Sequence, residues 1–173
     1  MKLSLAGALA LGVIVSAATI AKAEPPGDPK AVKEVDGKWQ DAKGDPTYNI
    51  KADGTVDWYA FSGYRRYAAY CIVCHGPDGE GSTYAPALKN SLKNFDYAEF
   101  AGIVISGRVN KVAGNDSVMP AFGDNKNVTC YLDDIYVYLR GRSTEAVGRG
   151  RPEKKDAKPA AFAAAEDKCM SDK

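Results

Sequence analysis

The residues in this sequence best suited to chemistry are two cysteines and a histidine, in the order Cys71-Ile72-Val73-Cys74-His75. Two thiols three positions apart can add to the two vinyl groups of one porphyrin, and a histidine directly after the second thiol can then reach the iron. This C-x-x-C-H spacing is the attachment signature of a c-type haem. The sequence therefore predicts one covalently bound haem c on Cys71 and Cys74, with His75 as an axial ligand of the iron.

The same spacing also occurs in redox disulfides and in zinc sites. A redox C-x-x-C motif is expected beside a thioredoxin-like β-α-β pattern, which this sequence lacks. A zinc site needs four ligands, and the chain has neither a second histidine nor a second closely spaced cysteine pair. Haem attachment is therefore the favoured interpretation.

The second axial ligand is predicted by elimination. His75 is the only histidine of the chain, so methionine sulfur is the remaining strong-field donor. Of the three methionines, Met1 precedes the apolar N-terminal run and Met170 lies in a charged tail. Met119 precedes Pro120, which favours an extended backbone there and stiffens the segment that would present the thioether. The alternative is that Met119 only fills the apolar core.

Three segments with helical periodicity are expected to position these ligands. The first spans residues 57–70, with a cap at Asp57 or Thr55, and would deliver the first thiol to the haem. The second spans 96–107, beginning with a D-x-x-E capping signal and stopping at a glycine. The third spans 129–140 with its first residue as the cap, but it also shows strand-like alternation. Periodicity alone leaves helix or strand open in that third segment.

The N-terminus has the order of a secretory signal. It consists of Lys2, an apolar run over residues 3–15 and an A-x-A sequence at 21–23. We therefore expect cleavage after Ala23 and a periplasmic location. The alternative is an uncleaved membrane anchor, since residues 3–20 approach spanning length.

The composition excludes several classes of protein. With 45% apolar and 26% charged residues, the chain is neither collagenous, nor a coiled coil, nor wholly disordered. Without the leader, the chain has 21 basic and 22 acidic residues. It therefore lacks the excess of basic residues expected of a nucleic-acid binder. No second apolar run is long enough to span a bilayer, so we expect no membrane insertion after cleavage.

The rest of the chain divides into a central domain and two flanks. Residues 57–142 form the predicted haem domain, which is all-α with long Gly- and Pro-rich loops. Residues 24–56 are predicted to be an extended arm, and 143–173 a charged tail rich in Ala, Lys and Pro. In an exported protein, Cys130 and Cys169 are expected to pair and tie the tail to the domain. A free Cys169 or an intermolecular bridge is the alternative.

The order of the motifs resembles that of the class I cytochromes c. It runs Gly63-x-x-x-Tyr67, C-x-x-C-H, Pro86-Ala87-Leu88, Met119-Pro120 and Tyr138-Leu139. The resemblance implies helices wrapped around one covalent haem, with the first and last helices crossing where Gly63 accommodates Tyr138. It also implies that Tyr67 packs near the haem and that the Pro86 carbonyl accepts the second imidazole N–H of His75.

A narrower similarity lies in residues 76–88, 118–123 and 131–139. These strings resemble cytochrome c-L and its relatives, the periplasmic electron acceptors of PQQ-dependent methanol and alcohol dehydrogenases. The resemblance implies such a dehydrogenase as electron donor, and another cytochrome c or a terminal oxidase as acceptor.

Two classes of function fit these residues. If His75 and Met119 both bind the iron, no coordination position is open to a substrate, which predicts a monomeric single-haem electron carrier and not an enzyme. The alternative is a haem-based ligand sensor, or a redox-enzyme subunit, in which Met119 is displaced. A peroxidase would be expected to supply a distal acid or base, and no second histidine exists for it. The candidate docking residues for a redox partner are Lys89, Lys93, Arg108 and Lys111. The favoured interpretation of these four residues is an ordinary solvated surface.

Overall fold

The computed structural model describes residues 27–112 and 115–172. The predicted leader and Met1 lie outside the described residues. Helices dominate the described part of the chain: α1 (Trp58–Tyr70), α2 (Ile72–His75), α3 (Leu88–Ser91), α4 (Tyr97–Ser106), α5 (Lys126–Thr129), α6 (Leu132–Ser143) and α7 (Ala160–Ser171), with a 3-10 turn at Pro77–Gly79. None of these helices is long and apolar enough to cross a membrane.

Short strands form two small antiparallel sheets beside the helices. The first sheet has the order β1-β2-β3, with β1 at Lys33–Val35, β2 at Lys38–Gln40 and β3 at Pro46–Thr47. The second is a hairpin of β4 (Arg108–Val112) and β5 (Asn115–Met119), in which Arg108 pairs with Met119. The hairpin therefore brings Met119 back to the end of α4.

The core is built on the crossing of α1 and α6. Helix α1 begins where the side chain of Asp57 accepts a hydrogen bond from the Ala60 N–H at 2.6 Å, which satisfies a free donor of the first turn. At Gly63 an added Cβ would lie 1.8 Å from the Asp134 carbonyl oxygen and 2.8 Å from the Tyr138 Cβ. Only glycine lets the two helix backbones approach this closely.

Helix α4 begins and ends where the sequence predicts. The side chain of Asp96 accepts a hydrogen bond from the Glu99 N–H at 2.8 Å, and the helix stops at Gly107. Its inner face buries Phe100 and Val104. The capping signal therefore located this helix correctly.

The predicted cap at Thr129 is wrong. Residues 126–143 form two helices, and the side chain of Asn125 caps the first of them by accepting from the Asn127 N–H at 3.0 Å. Thr129 is the last residue of α5, and its hydroxyl donates to the Asn125 carbonyl oxygen at 3.3 Å. The following segment is helical, and it showed no clear period because α6 is buried on nearly every side.

The described part of the predicted N-terminal arm, residues 27–56, folds over α6. Its anchor is Arg140, whose guanidinium is buried and donates to the Asp41 carboxylate at 2.8 Å. The same side chain also donates to the carbonyl oxygens of Pro46 and Gly27, both at 2.9 Å. These bonds hold the β1-β2-β3 sheet against the haem domain.

The C-terminal tail contains a helix that the sequence analysis did not predict. In the structure Cys130 and Cys169 form a disulfide with their Cα atoms 5.8 Å apart, which ties α7 to α5. Phe162, near the start of α7, is buried. Glu166 accepts a hydrogen bond from the Tyr131 hydroxyl at 2.5 Å. The tail is therefore packed on the domain along α7.

Candidate haem site

The two thiols of the C-x-x-C-H motif lie at the junction of α1 and α2. Cys71 ends the first helix and begins the second, and the His75 N–H donates to the Cys71 carbonyl oxygen at 2.9 Å. Residues three apart on a helix share a face, so this spacing allows both thiols to reach one porphyrin. Neither thiol is in a disulfide. Burial, with a smaller contribution from Cys74, raises the pKa of Cys71 to about 12.

The orientation of His75 is set by a backbone carbonyl. Its ring is buried, and Nδ1 lies 3.0 Å from the Pro86 carbonyl oxygen. A carbonyl oxygen can only accept a hydrogen bond, so Nδ1 carries the proton and Nε2 keeps its lone pair for a metal. The contact that the family resemblance implies is therefore present in the geometry.

The loop after His75 is held from inside the domain by Tyr67. The Tyr67 hydroxyl donates to the Gly76 carbonyl oxygen at 2.5 Å and accepts from the Gly79 N–H at 3.0 Å. The Gly81 N–H donates to the His75 carbonyl oxygen at 2.8 Å. Gly76 has a φ of 71°, and a Cβ there would lie 2.2 Å from the Gly81 carbonyl oxygen. The loop can therefore close only with glycine after the ligand.

An apolar cleft brings the predicted ligands together. Its volume is about 540 Å3 including the solvent space of its open mouth. Cys71, His75 and Met119 all line it. The other lining residues carry no charge: Tyr70, Leu88, Leu92, Phe95, Phe100, Ile103, Val104, Phe122, Val128, Ile135 and Leu139.

Met119 reaches the cleft from the last position of β5. The segment after it is fixed to α4, because the Phe122 N–H donates to the Val104 carbonyl oxygen at 3.0 Å. The Gly123 N–H donates to the Ile105 carbonyl oxygen at 3.1 Å. These residues fit a porphyrin: the Cys71 thiol, the His75 imidazole and the Met119 thioether line one apolar cleft, and the exposed Cys74 lies three positions from Cys71.

Three predicted packing residues lie behind the cleft and do not line it. Gly63, Tyr67 and Tyr138 meet at the crossing of α1 and α6, with the two tyrosine rings 5.4 Å apart. Tyr138 is fully buried, and burial raises the pKa of its hydroxyl well above the usual value. The apolar residues that do line the cleft were missed, although Phe100, Ile103 and Val104 share helical spacing.

A buried carboxylate lies at the same crossing. The Asp134 side chain is 1% exposed, and its Oδ1 is 3.7 Å from the Lys38 ammonium. Burial raises the pKa of Asp134 to about 7, while the positive charge of Lys38 opposes the shift. Asp134 does not line the cleft.

The candidate docking residues differ in their surroundings. Lys89 is half-buried and pairs with Glu80 at 2.5 Å, while Lys93 and Lys111 are exposed. Arg108 is exposed, with its guanidinium 6.0 Å from the ring of Phe95, a residue of the cleft.

Fold and site together define a c-type cytochrome with one covalently bound haem c, and the chain belongs to the class I cytochromes c. Residues 60–139 match the family model described as cytochrome c oxidase, cbb3-type, subunit III. The crystal structure of the c-type cytochrome XoxG from Methylobacterium extorquens AM1 superposes with a TM-score of 0.74 at 50% identity, covering 85% of this chain and 97% of that one.

Two curated relatives agree with this assignment. Cytochrome c-553I of Paracoccus denitrificans is 56% identical over 135 residues, which are 78% of this chain and 60% of the relative. The chain therefore spans about three fifths of the length of that relative. Cytochrome c-555 of Methylococcus capsulatus (Bath) is 40% identical over 100 residues, which are 57% of this chain and 75% of the relative. The comparisons confirm the predicted family, fold class and cofactor.

Proposed function

We propose that the protein is an electron carrier, and not an enzyme, in which His75 and Met119 fill both axial positions of the haem attached to Cys71 and Cys74. The observation that carries the proposal is the apolar cleft that gathers Cys71, His75 and Met119. The bound haem supplies a one-electron couple. Among the described residues, the cleft lining offers two axial ligands and no charged side chain, which suits electron transfer without substrate chemistry.

In this proposal, residues around the two axial ligands orient them and exclude water from the haem. The Pro86 carbonyl holds the proton of His75 Nδ1 and so fixes the ring orientation. Pro120 and the bonds of the following segment to α4 hold Met119 at the cleft. The apolar lining excludes water, which stabilises the low-charge state of the centre.

The exposed surface near Cys74 supports transfer to and from a docked partner. Cys74 itself is exposed, and its neighbour Val73 and the nearby loop residue Tyr84 are each 78% exposed. The attached edge of the haem would therefore lie close to the surface, where an apolar contact between partners can exclude water.

We further propose a PQQ-dependent methanol or alcohol dehydrogenase as the donor, and another cytochrome c or a terminal oxidase as the acceptor. The support is the similarity of residues 76–88, 118–123 and 131–139 to the cytochrome c-L type. The leader predicted at 1–23 supports a periplasmic meeting of the partners. The protein would act as a monomer in this exchange.

The test is to mix the oxidised haem-loaded protein with a PQQ-dependent alcohol dehydrogenase and methanol or ethanol, and to follow the haem bands in a stopped-flow spectrometer. We expect reduction that needs both the enzyme and the alcohol and that slows as salt is added. Absence of reduction by a dehydrogenase that is active with an artificial acceptor would reject the proposed donor.

A matched pair of charge reversals locates the docking face. Lys111→Glu changes the hairpin that presents Met119, whereas Lys154→Glu changes a residue bonded to Val56 at the start of α1. The 13 residues of α1 separate that end from Cys71 by roughly 20 Å. We expect Lys111→Glu to change the rate and its salt dependence, and Lys154→Glu to leave both within twofold.

A further inference from the structure

The loop that follows the histidine ligand is held by a side chain from outside the family match. Arg142 lies in the last turn of α6, beyond residues 60–139. Its side chain is 6% exposed. A buried guanidinium must be paired and hydrogen-bonded to be tolerated, so its partners identify the segment that it organises.

Arg142 joins the haem loop to the C-terminal segment. Its Nε donates to the Asp78 carbonyl oxygen at 3.1 Å, and one of its terminal nitrogens donates to the Glu80 carboxylate at 3.2 Å. The other terminal nitrogen donates to the Val147 carbonyl oxygen at 2.5 Å. All three branches of the guanidinium are therefore used, two of them on the loop.

The same segment holds the least favourable backbone of the loop. Asp78 has a φ of 60°, a left-handed conformation that costs most residues free energy. Its carboxylate accepts from the Gly150 N–H at 2.8 Å and from the Arg149 Nε at 3.3 Å. The conformation of Asp78 is therefore set from residues 142–150 and not by the loop alone.

The loop in turn packs on the peptide that binds the histidine. A Cβ added at Gly81 would lie 2.7 Å from the Ala87 nitrogen and 3.2 Å from the Pro86 carbonyl carbon. These two atoms belong to the peptide whose oxygen accepts the proton of His75 Nδ1. The Gly81 N–H also bonds the His75 carbonyl oxygen. A shift of the loop therefore moves both ends of the His75–Pro86 hydrogen bond.

We propose that Arg142 is a positioning residue for the axial histidine: it clamps residues 76–81 to the segment 142–150 and thereby keeps the His75–Pro86 hydrogen bond closed. This inference rests on the proposed ligation by His75. It assigns a role in the haem site to a part of the chain that the family model does not cover. The partner of an axial histidine tunes the metal through the basicity of the ring, so the clamp acts on the electron-carrying centre.

The chain contains a matched control for this residue. Arg140 lies two positions earlier on α6, is 2% exposed and makes three hydrogen bonds, of which the one to Asp41 is also an ion pair. Its partners are Asp41, Pro46 and Gly27, all in the N-terminal segment. Arg140→Gln therefore removes an equally buried guanidinium from the same helix without touching the loop 76–81.

The experiment uses the full haem-loaded chain in its reduced, diamagnetic state. Solvent exchange of the His75 Nδ1 proton is measured by NMR in the wild type, Arg142→Gln and Arg140→Gln, with backbone amides of α1 as the measure of general opening. We expect Arg142→Gln to speed exchange of the ring proton at least tenfold relative to the α1 amides. Arg140→Gln should leave that ratio within twofold of the wild type.

Equal acceleration in both variants, or none in Arg142→Gln, would overturn the proposal. If Arg142→Gln does not hold haem, the same exchange ratio is measured in Arg142→Lys and Arg140→Lys. We then expect the ratio to rise at least threefold in Arg142→Lys and less than twofold in Arg140→Lys. The ring protons of His75 in the wild type test the underlying ligation separately. The haem ring current shifts the proton signals of an iron-bound imidazole upfield. Unshifted His75 signals would therefore reject His75 as the iron ligand, which is a different outcome from rejecting the role of Arg142.

Discussion

Replacement of Gly63 by alanine tests the helix crossing on which the haem site is built. The added Cβ would lie 1.8 Å from the Asp134 carbonyl oxygen. Contacts of this type need at least about 3 Å, so α1 and α6 would have to separate by about 1.2 Å. The obstructing atom belongs to the backbone, and no rotamer change can relieve the clash.

The magnitude follows from two opposing effects. Overpacking of a core typically costs about 1–3 kcal/mol, occasionally more, and a backbone-to-backbone clash lies at the upper end. Alanine recovers up to about 1 kcal/mol in a helix relative to glycine. The net loss in the free energy of unfolding is therefore about 2 kcal/mol, which lowers Tm by about 4–8 °C for a chain of this size.

The assay is thermal unfolding of the haem-loaded protein, followed by far-UV circular dichroism and by the Soret band. Gly102→Ala is the control, because Gly102 lies on the exposed side of α4 with no atom within 4 Å of an added Cβ. It should keep or raise Tm, since only the helix propensity changes. A Tm of Gly63→Ala at or above that of the wild type would refute the close crossing.

Three further predictions concern the disulfide, a buried carboxylate and the sulfur ligand. Changing Cys130 and Cys169 together to serine opens a crosslink across 39 residues and should cost about 4 kcal/mol on the chain-entropy model; an unchanged guanidinium midpoint would contradict this. Burial raises the pKa of Asp134 to about 7. Between pH 4 and 7 the native state therefore holds a proton that the unfolded state releases, and the free energy of unfolding falls as pH rises through that range. Asp134→Asn should reduce the fall of Tm between pH 4 and 7. The fall that remains is due in part to Asp57, whose pKa burial raises to about 6. If Tm of Asp134→Asn falls with pH as steeply as that of the wild type, the prediction for Asp134 is wrong. Met119→Ala should leave the haem attached but abolish the sulfur-to-iron charge-transfer band, whose persistence would show that another group binds the iron.

The features that could be predicted from sequence are those encoded within a few residues. The C-x-x-C-H motif places three groups of the site within five consecutive positions. The caps at Asp57 and Asp96 are local hydrogen bonds between a side chain and the next turn. Met119 was reached by elimination because the chain offers few strong-field donors. The contact between His75 and Pro86 came from family resemblance, since the two residues lie eleven positions apart across a Gly- and Pro-rich loop.

The features that could not be predicted depend on distant partners. Arginine is normally expected on the surface, yet Arg140 and Arg142 are buried because residues far away in sequence surround each guanidinium with acceptors. The cap at Asn125 was missed because Thr129 has an equally suitable side chain and lies closer to the apolar segment. Helix α7 was missed because its Ala-rich composition acquires a fixed place through distant contacts: Phe162, the Tyr131–Glu166 hydrogen bond and the disulfide.

An electron carrier of the proposed kind requires that both axial positions of its haem be filled by the protein's own side chains. The most direct test is to add carbon monoxide to the reduced protein and follow the Soret band, with Met119→Ala as the open-site control. We expect no binding to the wild type on the timescale in which Met119→Ala binds one equivalent per haem. Prompt, stoichiometric binding to the wild type would contradict it and favour a ligand sensor in which Met119 is displaced.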